Sequence, residues 1–135
     1  MGWKEEHGVD FEVPAFIEFL ASKGVVEDQS WHNDACPRFG VSDVDPTTER
    51  AVEVVIWIDH PMKSQREFGD GQRFAVTIGP ICSEAEKSVA TNDLETAIEG
   101  LFTFLADYHK GAGRWAEPED YLAELLHDFD GRRQG

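Results

Sequence analysis

The sequence predicts an α+β domain: a three- or four-stranded antiparallel sheet with about three helices packed mainly on one face. Three observations carry the prediction. Patterned segments follow one another in the order helix, strands, helix, helix. Residues 50–59, RAVEVVIWID, place apolar side chains at every second position, while residues 91–109, TNDLETAIEGLFTFLADYH, repeat them every three or four. A chain of 135 residues has the length of one domain with one core, and no repeat, low-complexity tract or linker divides it, so residues 1–135 are read as a single globular domain.

Residues 1–9 are expected to be loose, and the first helix runs from about Pro14 to Lys23. Pro14 suits a first turn, where its missing N–H costs nothing, and Gly24 suits the position just past the end. Phe16, Ile17 and Leu20 share its inner face, with Val13 nearby. Residues 25–49 mix short apolar pieces with Asn, Asp, Pro and Gly, which predicts turns around one short strand near Arg38 to Val41.

The clearest strand follows, with Val52, Val54, Ile56 and Ile58 on one side and Glu53, Val55, Trp57 and Asp59 on the other. Val55 and Trp57 make the second side partly apolar, which predicts a central strand. Residues 73–79 alternate Phe74, Val76 and Ile78 against Arg73, Ala75 and Thr77, and the connection through Pro61 and residues 69–71 allows an antiparallel hairpin. A weaker strand is expected at Lys87 to Ala90.

The strongest helix signal comes next. Asn92 or Thr91 is expected to cap it, Glu95 to complete a capping box, and Leu94, Ile98, Leu101 and Leu105 to form its stripe, with Gly111 and Gly113 ending it. The last helix has Pro118 in its first turn and Tyr121, Leu122, Leu125, Leu126 and Phe129 on one side, before an end at 131–135 that is expected to be loose.

Composition narrows the function classes. Apolar residues make up 41% and aromatics 11%, too much packing material for a disordered chain. No apolar run nears the roughly 18 residues of a membrane helix, and the N-terminus lacks the basic start of a signal peptide, so a cytoplasmic location is expected. Two cysteines, Cys36 and Cys82, are too few for a disulfide framework and are expected to be thiols. The net charge of −15 repels phosphates and anionic lipid heads, which argues against direct binding to nucleic acid or membranes. That charge is uneven: residues 1–49 hold 11 acids and 3 bases, 50–90 hold 6 and 5, and 91–135 hold 10 and 4.

Residues 30–39, SWHNDACPRF, raise the question of a reactive site. His32, Asp34 and Cys36, joined by Asp59 and His60 from the end of the central strand, are chemically suited to bind a metal or ligand, and His32 or His60 could activate Cys36 as a thiolate. The spacing is neither C-x-x-C nor H-E-x-x-H. The plainer reading is favoured: Asn33-Asp34 form a turn, Pro37 extends its neighbour, and Trp31 and Phe39 pack on the sheet. Asp59-His60-Pro61, with Arg66 and Glu67, forms a second polar cluster that reads as a strand exit or a ligand contact. No catalytic residue, metal or cofactor is assigned.

The acidic helices are the most informative feature. Asp120, Glu124 and Asp128 lie four apart on the last helix, and Glu99, Thr103 and Asp107 do so on the one before. Like charges at this spacing cost an isolated helix about 0.2–0.5 kcal/mol per pair, so stability alone would favour a lysine among them. The plainer reading is that acidic outer faces keep the chain soluble; the functional one is a role in docking on a basic partner. One stripe gives a charge every ~6 Å, against one per ~1.7 Å along a duplex. Imitating nucleic acid would therefore take several rows together, with Glu5, Glu6, Glu12, Glu18, Glu27 and Asp28 contributing.

In size, acidity and lack of a catalytic signature the chain is similar to the small inhibitors that phages and mobile elements direct against host defence, anti-CRISPR proteins among them, although no motif is shared. The resemblance implies a non-enzymatic inhibitor that docks on a basic, nucleic-acid-handling protein through Glu99, Asp107, Asp120, Glu124 and Asp128. The rival expectations are a small metal- or thiol-dependent enzyme centred on His32, Cys36 and His60, and a homo-oligomeric assembly subunit that pairs through a strand edge or through Trp3, Trp31 or Trp115.

Overall fold

The computed structural model describes residues 3–8, 11–30, 36–44, 51–62, 64, 66, 72–80 and 85–134. After a one-turn helix α1 (Trp3–His7) and α2 (Ala15–Ser22) come five strands: β1 (Glu27–Asp28), β2 (Arg38–Val44), β3 (Ala51–Ile58), β4 (Phe74–Pro80) and β5 (Lys87–Thr91). Helix α3 (Leu94–Tyr108), a 3₁₀ turn (Gly113–Ala116) and α4 (Pro118–Gln134) complete the chain. The strands pair antiparallel in chain order. The class is α+β as expected, but the sheet has five strands instead of three or four. The extra strand, β1, is two residues long, too short for a period-two pattern to show.

Register follows the alternation read in the sequence. Val54 pairs with Val41 and Ile78, and Ile56 with Phe39 and Val76, which puts these side chains on one face. That face packs on Ile17 and Leu20 of α2 and on Ala97, Ile98, Leu101 and Leu105 of α3, all in one buried cluster. Each fully buried Leu or Ile contributes about 1.5–3 kcal/mol. β3 is central, and Val55 on its other face is fully buried as well. On that face the Arg38 guanidinium lies 4.8 Å from the Trp57 ring and bonds Glu53 at 2.9 Å.

Regular structure reaches into both of the segments expected to be loose. Trp3 is buried, its backbone N–H donates to Asp28 Oδ2 at 3.0 Å, and its indole N–H donates to Glu18 Oε1 at 2.9 Å. An aromatic body with a polar handle can seat itself in a core edge where carboxylates supply acceptors, and a sequence pattern cannot reveal those partners. At the other end α4 continues to Gln134. No helix among the described residues is long and apolar enough to cross a membrane.

The cap of α3 also differs. Asp93 accepts the backbone N–H of Thr96 at 3.1 Å and its hydroxyl at 2.6 Å. These bonds from Thr96 hold the exposed Asp93 carboxyl below its ordinary range. Asn92 is engaged elsewhere: its carbonyl oxygen accepts from Arg66 at 2.8 Å and from the Arg73 backbone N–H at 2.9 Å.

Candidate functional site

The candidate site begins with the sequence of α4. Tyr121, Leu125 and Phe129 recur every four residues. Tyr121 meets Trp115 at 5.0 Å, Phe129 meets Phe16 and Phe19 at 5.2 Å each, and Leu125 is buried. Leu122 and Leu126 sit one position further on, about 100° around the helix. They line a groove between α3 and α4 of about 710 Å³, where they face Ile98 and Phe102 of α3, with Phe16 and Phe129 beside them. Leu126 is 41% exposed. The sequence places all five apolar residues of α4 on one side; they form two rows, and of the second row Leu122 still packs against the core while Leu126 does not.

Carboxylates border this apolar floor. Glu95 and Glu99 come from α3, and Glu119 and Asp130 from α4. All four are exposed, and none is ion-paired among the described residues. The helical period explains their placement. Glu95 and Glu99 follow Leu94 and Ile98 directly, so the row beside the core stripe of α3 is acidic.

The acids singled out in the sequence divide. Asp107 meets Lys87 at 3.5 Å, Glu124 meets Arg114 at 3.0 Å and Asp128 meets Lys23 at 3.0 Å. Such exposed pairs add little stability, but each places a cation against its acid. Glu99 lies on the groove without one among the described residues. Asp120 is hydrogen-bonded to Glu117, and this bond, with the Asp120 charge behind it, raises the Glu117 carboxyl above its usual range. Glu18 and Asp28, counted toward a wider acidic face, are engaged with Trp3. Among the described residues, Glu95, Glu99, Glu119 and Asp130 thus gather on the groove without a cation, while the side chains of Glu5 and Glu6 lie outside what the structure describes.

The other predicted cluster is built differently. Cys36 and Asp59 are fully buried, and His60 is 8% exposed. A Cys36 thiol without exposed surface offers nothing to a substrate. Asp59 accepts the backbone N–H of His60 at 2.7 Å. His60 Nδ1 accepts from Met62 N–H at 3.0 Å, which leaves the proton of the neutral ring on Nε2. His32 and Asp34, with Trp31, Glu67 and Cys82, lie outside the described residues. Among the described residues no three His, Cys, Asp or Glu side chains come together in a way that could hold a metal ion.

Arginines tie this region to the backbone. Arg66 donates to the carbonyls of His60 at 2.8 Å and Pro61 at 3.1 Å, and Arg73 to those of Phe11 at 3.3 Å and Glu12 at 2.7 Å. Glu12 sits at φ 49°, an uncommon conformation for a non-glycine residue, and the Arg73 bond helps to hold it there. Burial lowers the Arg73 pKa from its ordinary value, the Glu12 charge works against that, and Arg66 adds to it. These contacts satisfy main-chain groups, which is the work of a structural junction.

Comparison with known protein families, curated proteins and solved structures finds no match for this chain.

Proposed function

We propose that the chain is a non-enzymatic binding protein that presents the α3–α4 groove to a basic surface of a nucleic-acid-handling protein and blocks that surface, in the manner of the small acidic inhibitors of phages and mobile elements. The observation that carries the reading is the juxtaposition of four carboxylates without ion pairs among the described residues and an apolar floor that includes the exposed Leu126. A folded chain gains nothing in stability from leaving either feature uncovered. Basic surfaces built for phosphate are the counterpart that such a field attracts, and long-range attraction raises the rate of encounter. The stripe is too sparse to copy a duplex charge for charge, so the acids steer and orient while apolar contact holds.

Capture from lysate on the immobilised chain, read by mass spectrometry at about 0.1 M and about 0.5 M salt, tests the reading. Nucleic-acid-binding proteins should be enriched at the lower salt and lost from a Glu95→Lys, Glu99→Lys, Asp130→Lys variant. Equal capture by that variant would remove the groove acids from the account. Enrichment of proteins without basic surfaces would remove the electrostatic reading altogether.

A further inference from the structure

We infer that the occupant of the α3–α4 groove is a basic amphipathic helix of a protein partner. This rests on the function proposed above and names the element that the groove accepts. Three features of the groove select it.

The first is backbone chemistry. Both walls are helices, and beyond their first turns the N–H and C=O groups that border the groove are bonded within the helix. An extended segment laid between them would bury its own main-chain groups with no ladder to join, whereas a helix brings those bonds already made. The groove therefore favours an element that needs no main-chain partner.

The second is length. The lining residues run from Leu94 to Thr103 on α3 and from Pro118 to Asp130 on α4. At a rise of ~1.5 Å per residue these walls are about 14 and 18 Å long, which is about three helical turns. Three turns present apolar anchors at positions i, i+3 or i+4, and i+7, the pattern by which helices seat in grooves. Leu122 and Leu126, spaced at four, offer the matching row.

The third is charge. Acids stand on both walls, Glu95 and Glu99 on α3 and Glu119 and Asp130 on α4. A helix that meets both needs Lys or Arg on both flanks of its apolar stripe. A second copy of this chain is the poorer fit, because it brings a net charge of −15 to an acidic groove.

The test uses the full chain and fluorescence anisotropy with three labelled peptides of identical length. In the first, Leu occupies i, i+3, i+4 and i+7 positions flanked on both sides by Lys; the second scrambles the same residues so that the stripe is lost; the third replaces each Lys with Glu. The striped basic peptide should bind at least about tenfold more tightly than the scrambled one, a difference within reach of a single apolar anchor, and the acidic peptide should not bind. Leu126→Asp should weaken the striped peptide by about tenfold or more while thermal unfolding stays in place, since Leu126 is outside the core cluster.

Equal binding of striped and scrambled peptides would overturn the helix inference and leave the acidic docking surface standing. Failure of both basic peptides at low salt would overturn the two readings together. A loss of dimer mass on Leu126→Asp would assign the groove to a second copy and overturn the partner helix.

Discussion

At the C-terminal end of α3 the imidazole of His109 lies nearly flat on Trp115, 5.1 Å between ring centres and 10° between planes, with Tyr108 edge-on at 4.9 Å. Burial against these rings lowers its pKa from the ordinary 6.5. Above that value the ring is neutral in both the folded and unfolded chains and adds no pH dependence. Below it the unfolded chain binds a proton that the folded ring resists, so stability falls as pH drops from 6.5 toward the depressed folded value. Thermal midpoints measured from about pH 7.5 to about pH 5.5 should therefore fall more steeply for the native chain than for His109→Gln. Parallel slopes would mean that the ring protonates equally in both states. Little of this was legible in the sequence, because His109 and Trp115 are brought together by a turn whose geometry rests on Lys110 at φ 56° and on Gly111 and Gly113. The same holds at Asp93. Thr91, Asn92 and Asp93 are all competent caps; Arg66 and Arg73 engage Asn92, the Asp93 backbone N–H engages the Thr91 hydroxyl, and Asp93 takes the cap.

Among elements, close approach decides which positions tolerate a side chain. Gly40 of β2 stands opposite Val55 of β3, and a Cβ there would run into the carbonyl oxygen of Val54. That obstacle is backbone inside a central strand pair, so it cannot swing aside. Gly40→Ala should cost about 3 kcal/mol or more, the upper end of overpacking, read as a lower urea midpoint. Gly100 of α3 makes the contrast. A Cβ at Gly100 would meet Val89 of β5 at 3.5 Å, an ordinary contact, and it would remove a glycine from the middle of a helix. Gly100→Ala should raise stability by about 0.5–1 kcal/mol. A loss there would show that α3 sits closer to β5 than the contact implies. The strands that carry long alternation were legible because their period matched their burial, as at Val54, Ile56 and Ile58. β1 was not, since two residues define no period. In α4 the helical pattern puts five apolar residues on one side and does not show that Leu126 alone stands off the core.

Over the whole molecule, the 27 acids have different uses, and the sequence could show only that they crowd both ends. Glu18, Asp28 and Asp93 accept bonds that seat Trp3 and cap α3. Asp107, Glu124 and Asp128 are matched with Lys87, Arg114 and Lys23. Glu95, Glu99, Glu119 and Asp130 are left on the groove, adding self-repulsion to a chain of net charge −15. If binding is what keeps them, removing their charge should improve the fold and impair the function, the usual trade at a site selected for activity. The double variant Glu99→Gln, Asp130→Asn should accordingly melt higher than the native chain at low ionic strength, by about 1–3 °C. The gain should vanish at about 0.5 M salt, where screening shortens the range of the repulsion. The same variant should capture less of any basic partner. A lower melting temperature would mean that these carboxylates stabilise the native chain, and a docking surface would then no longer be needed to explain why they are there.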